Sequence, residues 1–279
     1  FTNNSIDGEK NYLYTGSSNN NNALFGGFCW KIIRANTLGN IRMIYNGTPT
    51  DGNCSTLNDT TVFINSSVFN DSSNYNAYVG YMYGSPNSTT YEDEHKNTNS
   101  SKIKTILEEW YATNLLKYSD YIEDAIYCNN RKTYEFTINN VKYSTLGYGN
   151  LNTGYLSKYN DGIKEKPSLD CTNVNDRFTV SKKLNTYPIG LITADEAMFI
   201  GNKETTSTTT YLDNNNAYWT MTPAYFNGTN AYNYVIKGNN LKTLSTSTSA
   251  GVRPVITIKN SVKLLGGNGS ESTPYIITK

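Results

Sequence analysis

The chain has few of the residues from which catalytic and metal-binding sites are usually built. Its 279 residues include one histidine and four cysteines, and no carboxylate occurs between Asp213 and Glu271. General acid–base catalysis and the binding of hard metal ions both depend on carboxylates or histidine. We therefore expect no enzyme activity, no cofactor and no metal ion.

Long basic runs and long apolar runs are also missing from the sequence. The formal net charge is +1 and no run rich in Lys or Arg occurs, which argues against nucleic acid and anionic membrane surfaces as partners. No apolar run reaches the roughly 18 residues that a membrane helix needs, and no stretch of the given sequence predicts a signal peptide. The sequence thus predicts an extracellular or cell-surface ectodomain whose anchor lies outside this chain.

The four cysteines predict a disulfide framework. They lack CxxC spacing, and one histidine is too few to complete a zinc site with them. Three pairings are possible, and buried free thiols are the alternative. We favour the pairs that close the shortest loops, each worth roughly 2–4 kcal/mol of stability: Cys29 with Cys54, and Cys128 with Cys171.

Tyrosine and asparagine are abundant instead. Residues 217–258 combine Trp219 and four tyrosines with many Asn, Ser and Thr residues, and their only charges are Lys237, Lys242 and Arg253. Tyrosine supplies rigid amphipathic contact area, and small polar residues supply adaptable hydrogen bonds, as in binding loops. An AT-rich genome would favour the same residues. The stretch therefore indicates recognition without naming a ligand.

The order of the elements predicts an α+β fold. Residues 1–22 are predicted to be a polar lead-in or linker, and segments 28–34 and 41–45 to form a hairpin around Gly39-Asn40. A helix is predicted from about 101 to 111 with a broken continuation that ends near Cys128, and another between the Thr193 capping box and Gly201. Short strands are predicted at 218–221, 232–236, 241–244 and 252–258.

Several charged clusters could be taken for catalytic or metal sites. His95 lies among three carboxylates in segment 91–96, but adjacent residues cannot all face one ion, so we expect a solvated charged loop. A second set could be taken for the carboxylate pair of a glycoside hydrolase. It is expected instead to form the solvated side of the predicted helix: Glu108, Glu109, Asp120, Glu123 and Asp124.

A set of sequence blocks resembles a largely uncharacterised family of surface-exposed proteins from low-GC gut bacteria. The resemblance covers nearly the whole chain from Ala23 onward, and the blocks are specific as a set: FGGFCWKIIR, IRMIYNG, NAYVGYMYG, KIKTILEEWY, ITADEAMFIG, YWTMTP, GVRPVITIK and GNGSESTPYII. The closing YW and GVRP strands are also similar to the C-type-lectin-like fold of formylglycine-generating enzymes and retroelement variable proteins. The C-terminal cysteines of those enzymes and the EPN-type loop of calcium-dependent lectins do not occur here.

The resemblance implies one C-type-lectin-like α+β domain over residues 23–279, with two helices, small twisted antiparallel sheets, long loops and a C-terminal strand and tail. It also implies a ligand-binding face near the C-terminal end. We assign Trp219, Val252 and Val255 to the core, and Arg253 to a structural anchor that pairs with a buried carbonyl or carboxylate. The candidate contact residues are Tyr225, Asn227, Asn230, Tyr232, Asn233, Tyr234, Asn239 and Asn240.

The leading functional hypothesis is a binding or adhesin-like surface domain. Its partner would be a host or bacterial surface glycan or protein, recognised through the Tyr/Asn-rich loop and hairpin. The alternative is a structural subunit that self-assembles into a pilus or surface layer, and a carbohydrate-active enzyme ranks last.

Overall fold

The computed structural model describes residues 2–4, 9–55, 59–132, 135–138, 141–144, 166–204 and 208–277. These residues form a mixed α+β fold of small sheets and few helices, as predicted. The strands are β1 (Thr2–Asn4), β2 (Lys10–Leu13), β3 (Asn22–Phe25), β4 (Phe28–Asn36), β5 (Ile41–Tyr45), β6 (Asn65–Ser67), β7 (Met82–Tyr83), β8 (Asn99–Ser100), β9 (Tyr127–Cys128), β10 (Glu135–Ile138), β11 (Val141–Ser144), β12 (Arg177–Phe178), β13 (Asn214–Phe226), β14 (Ala231–Gly238), β15 (Asn240–Ser245), β16 (Ala250–Val252), β17 (Val255–Ile258) and β18 (Tyr275–Ile276). The α-helices are α1 (Tyr91–Glu94), α2 (Lys102–Asn114) and α3 (Ala194–Ile200), and 3₁₀ turns occur at Thr60–Val62, Asn76–Val79, Leu116–Tyr121 and Val174–Asp176.

The first sheet has seven strands and is organised around β4. The hairpin predicted around Gly39-Asn40 is confirmed, since β4 pairs antiparallel with β5, and β17 continues the sheet beyond β5. On its other side β4 pairs with β3 along one half and with β2 along the other. The prediction that residues 1–22 are a lead-in is therefore wrong for the segment 9–22, because β2 lies in the sheet and Asn11 and Leu13 are buried.

The second sheet has five strands in the order β15-β14-β13-β16-β6. The long β13 and β14 form an antiparallel hairpin whose register shifts at several points, and β15 is the edge strand. Residues 252–258, predicted as one strand, divide instead between the two sheets as β16 and β17. The three remaining ladders, β7/β8, β9/β12 and β10/β11, have two strands each.

The core between the sheets and helices is rich in aromatic residues. Trp30, Tyr45 and Trp110 pack edge to face with ring centroids 5.6–6.4 Å apart, a favourable geometry for aromatic rings. The core positions predicted for Trp219, Val252 and Val255 are confirmed, because all three are fully buried. Arg253 is the predicted anchor: its Nε donates to the Tyr45 carbonyl at 3.0 Å.

Local sequence signals account for both longer helices. The side chain of Ser101 accepts the N–H of Lys104 at the start of α2. Thr193 and Glu196 form the predicted capping box of α3, which ends at Gly201 with a positive φ of 136°. The broken continuation after α2 is the 3₁₀ turn Leu116–Tyr121.

Both predicted disulfides are confirmed. Cys29 pairs with Cys54 and Cys128 pairs with Cys171. Such bridges persist in oxidising compartments, so they are consistent with a secreted protein. Within the described residues, no helix has the length and apolar character needed to cross a membrane.

Candidate functional site

The candidate contact residues do not form one surface. The turn that joins β13 to β14 presents Asn227 and Asn230 at the tip of the hairpin, where Asn227 is exposed and Asn230 is half-buried. The Asn227 Oδ1 accepts the backbone N–H groups of Thr229 and Asn230 at 3.0 and 2.8 Å. This bonding fixes the turn from within.

The tyrosines lie on the face of the hairpin opposite to Phe226 and Ala231. Tyr225 and Tyr232 stack with centroids 4.6 Å apart and are half-buried against the main core. Tyr234 is fully buried, and its hydroxyl donates to Glu204 Oε1 at 2.9 Å. Tyr234 is therefore a core residue, and its assignment to the contact surface is corrected.

Asn233 is also corrected, because it is fully buried and its Nδ2 donates to the Val79 carbonyl at 3.4 Å. Asn239 and Asn240 lie at the other end of β14, about 30 Å from Asn230 at the usual rise per strand residue. There Asn240 joins Lys203 in an isolated bridge. The structure thus separates the set into a tip, a buried centre and a distant turn.

The hairpin tip is docked onto the segment 69–83. Ser73 makes the central contacts: its carbonyl accepts the N–H of Ala231 at 2.7 Å, and its hydroxyl donates to Asn230 Oδ1 at 2.8 Å. Beside these bonds, Phe226 and Ala231 pack with Val79 into a small apolar cluster. The tip is therefore held by both hydrogen bonds and burial.

Tyr78 of this segment packs against that cluster and contacts two further half-buried tyrosines. Tyr78 contacts Tyr75 with ring centroids 6.3 Å apart and Tyr83 edge to face at 5.3 Å. Burial raises the pKa of Tyr78, and the neighbouring Tyr83, Tyr75 and Asp71 raise it further. We call the set Tyr75, Tyr78, Tyr83, Asn227 and Asn230 the hairpin-tip surface.

Sequence reasoning identified the two asparagines of this surface but not its tyrosines. The letters YVGYMY at 78–83 form an aromatic island, yet no local pattern joins them to a turn more than 140 residues later. The joining contacts are Ser73 with Asn230 and Val79 with Phe226, which only the folded chain makes.

The region around His95 is not the solvated loop that was predicted. Glu94 and His95 are only 2% and 3% exposed. Glu94 Oε2 accepts the Asn76 Nδ2 at 2.8 Å, and burial raises the pKa of Glu94 to about 7. Burial and then the charge of Arg131 hold the pKa of His95 well below its ordinary value. The Tyr91 ring packs on the imidazole at 4.5 Å.

Beside His95 lies a buried ion pair. Arg131 Nε donates to Asp176 Oδ1 at 2.6 Å, and both side chains are almost completely buried. Arg131 also donates to the backbone carbonyls of Met82, at 3.0 Å, and of His95, at 3.4 Å. The pair therefore ties β7 and the end of α1 to the 3₁₀ turn that holds Asp176.

Two carboxylates predicted to be solvated have structural partners. Glu108 Oε1 accepts Lys104 Nζ at 2.7 Å and the N–H of Thr186 at 2.6 Å. The two oxygens of Asp124 accept the N–H groups of Val180 and Ser181. These bonds order neighbouring loops.

A cleft of about 270 Å³ lies beside the start of α3 and the Cys128–Cys171 disulfide. Glu196 lines it and is ion-paired with Arg34 at 3.1 Å and Arg42 at 2.7 Å. Burial alone would raise the pKa of Glu196, but Arg42 and Arg34 outweigh it and hold the pKa below its ordinary value. A carboxylate held ionised in this way is poorly placed to exchange protons near neutral pH. Its contacts join α3 to β4 and β5.

No group of three or more His, Cys, Asp or Glu side chains suited to a metal ion occurs in the part of the chain that the structure describes. No family model, curated protein or solved structure matches this chain. The relation to the surface-protein family and to the C-type-lectin-like fold therefore stays a prediction.

Proposed function

We propose that this protein is an extracellular binding domain that recognises a surface glycan or protein through the hairpin-tip surface. The observation that supports the proposal most is the docking of the β13–β14 hairpin onto Ser73 and Val79, beside Tyr78, which in turn contacts Tyr75 and Tyr83. It leaves three half-buried tyrosines together on the docked segment and the Asn227 amide exposed at the turn.

The chemistry of the surface suits recognition. A half-buried tyrosine keeps part of its ring and its hydroxyl available while packing fixes its orientation, so binding orders few side chains. Asn227 adds an amide at an exposed turn whose backbone is already bonded. Sugars and polar peptides both present C–H faces and hydroxyl or amide groups that such a surface can contact.

The succession of hairpin, helices and closing strands is the support for a C-type-lectin-like arrangement. The hairpin β4/β5 comes first, α2 and α3 follow, and β13 to β17 close the fold. In that arrangement the tip lies in the part of the chain where the resemblance implied a ligand-binding face.

Glycan and surface-protein arrays would test the proposal with matched variants. We expect the wild type to bind, and Tyr75→Ala/Tyr78→Ala to weaken the binding at least tenfold. Tyr225→Ala/Tyr232→Ala is the control, since it removes the same number of half-buried rings from the opposite face of the hairpin. Near-ultraviolet circular dichroism would verify that both variants fold.

A wild type that binds nothing on either array would overturn the proposed function. Equal losses in the two variants would show that a surface other than the hairpin tip carries the binding.

A further inference from the structure

Glu94 and His95 are adjacent residues, one acidic and one basic, and both are buried. Glu94 is bonded to Asn76, and within the described residues it has no ion-pair partner. Neither ring nitrogen of His95 has a hydrogen-bond partner among the residues that the structure describes. Each group therefore sits in an environment that disfavours its charged form.

We propose that Glu94 and His95 are opposed proton-binding groups whose effects on stability cancel, so that the packing beneath the hairpin-tip surface is unchanged by mild acid. The link to the surface is Asn76, which donates to Glu94 from the 3₁₀ turn that also contains Tyr78. In addition, the Glu94 carbonyl accepts the N–H of Gly84, the residue after Tyr83. The step that concerns the surface rests on the proposed function, whereas the proton balance does not.

The two effects have opposite signs. Because its pKa is raised to about 7, Glu94 holds a proton in the folded state that the unfolded chain releases above about pH 4.5. Its contribution to stability therefore grows as the pH falls from 7 toward 4.5. His95 has a pKa well below 6.5, so its contribution is complete above pH 6.5 and is lost as the pH falls below that value.

Between about pH 5 and 6.5 both effects operate at once. Each changes the equilibrium between closed and open forms by about tenfold per pH unit, in opposite directions. A single group acting alone would therefore shift the equilibrium about 30-fold over this range, and the pair together would shift it little.

The surrounding charges leave this balance in place. Arg131 faces His95 and is itself paired with Asp176. Burial raises the pKa of Asp176 against the opposing effect of Arg131, so its proton uptake acts in the same sense as that of Glu94 at the acid limit. Asn76, which faces Glu94, is neutral, and the flanking Glu92 and Asp93 of α1 are exposed.

Hydrogen exchange of the full chain would test the proposal without a ligand. The informative amides are those of Gly84, bonded to the Glu94 carbonyl, and of His95, bonded to the Tyr91 carbonyl. We expect wild-type protection to change less than about threefold between pH 6.5 and 5. On the same acidification, Glu94→Gln should lose about 30-fold and His95→Phe should gain about 30-fold.

The substitutions are chosen to preserve packing. Glutamine keeps the acceptor for Asn76, and phenylalanine keeps a ring against Tyr91. In the double variant, protection should again change little between pH 6.5 and 5. The inference would be overturned if the wild type lost as much protection on acidification as is expected of Glu94→Gln. It would also be overturned if the protection of Glu94→Gln did not change with pH.

A carbon-13 NMR titration of Glu94 and His95 tests the inference with the wild-type protein alone, so it does not depend on whether a variant folds. The Glu94 carboxyl should titrate near pH 7, and the His95 ring should titrate well below its ordinary value. A Glu94 midpoint at its ordinary value near 4.5 would equally refute the balance. Blank binding arrays would leave both measurements intact, so failure of the proposed function and failure of this inference are distinguishable.

Discussion

Replacing Arg131 with methionine should destabilise the fold by about 3–5 kcal/mol, the usual cost of leaving one member of a buried ion pair without its partner. The guanidinium is fully buried and donates to Asp176 Oδ1 at 2.6 Å, and to the carbonyls of Met82 and Asn175 at 3.0 and 2.9 Å. In the variant, Asp176 keeps the N–H of residue 131 but no positive charge. Denaturant unfolding at pH 7 measures the loss from the shift in midpoint at constant slope.

The loss should depend on pH. The charge of Arg131 is what opposes the effect of burial on the pKa of Asp176. Without it the carboxyl pKa rises further, and a group with a raised pKa stabilises the fold at low pH and loses that contribution as the pH rises. The variant should therefore be closest to the wild type in acid and furthest from it at neutral pH.

A neighbouring arginine provides the matched control. Arg177 is half-buried, and its Nε donates to the Cys171 carbonyl at 2.7 Å. Arg177→Met should cost about 1 kcal/mol, the net value of an ordinary hydrogen bond. The double variant Arg131→Met/Asp176→Leu should recover stability relative to Arg131→Met alone, because no buried charge is left unpaired. If Arg131→Met costs no more than Arg177→Met, or if the double variant recovers nothing, the reasoning is refuted.

Three further variants test other parts of the fold. Removing the Cys29–Cys54 bridge by a double alanine substitution should cost about 3.5 kcal/mol from loop entropy over its sequence separation of 25, and an unchanged denaturation midpoint would contradict this. Thr193→Ala should cost about 1 kcal/mol of stability through loss of the α3 cap and so lower the Tm. An unchanged Tm would mean that the capping box contributes nothing. Gly190→Ala should cost about 1–3 kcal/mol because its Cβ would lie 2.3 Å from the Tyr127 ring, and wild-type stability would mean that the ring moves freely.

Features that depend on neighbours in the chain could be predicted from the sequence. The Thr193 cap, the turn at Gly39 and the hairpin that it joins depend on local backbone chemistry, and the structure contains all of them. For α2 the sequence offers Asn99, Ser100 or Ser101 as the cap, and the structure uses Ser101. The disulfide pairing was also predictable, because short loops are the least costly to close.

Features that depend on contacts between distant parts of the chain could not be predicted from the sequence. The letters around His95 are those of a solvated loop, yet Asn76 and Arg131 cover them from other parts of the chain. Asn233 and Tyr234 have the composition of a binding strand, but β14 is buried on both faces between 233 and 236. Composition shows what a residue can contact, and only the packing determines what it does contact.

The GVRP block illustrates how strongly packing decides the role of a residue. Val252 ends β16 in one sheet and Val255 begins β17 in the other, so two residues carry the chain between the sheets. Pro254 has no N–H to leave unpaired at this crossing, and its carbonyl accepts the N–H of Tyr45 at 2.8 Å. Gly251 lies so close to the Phe63 ring that a Cβ would come within 2.5 Å of it.

Arg253 completes this joint. Its guanidinium donates to the Tyr45 carbonyl and to Asn46 Oδ1, and it lies 4.8 Å from the centre of the Tyr218 ring. One side chain thus contacts both sheets, and it supplies a donor to a buried backbone carbonyl. Arg253 is therefore a structural residue of the Tyr/Asn-rich stretch, and the proposed recognition concerns the exposed turn at Asn227.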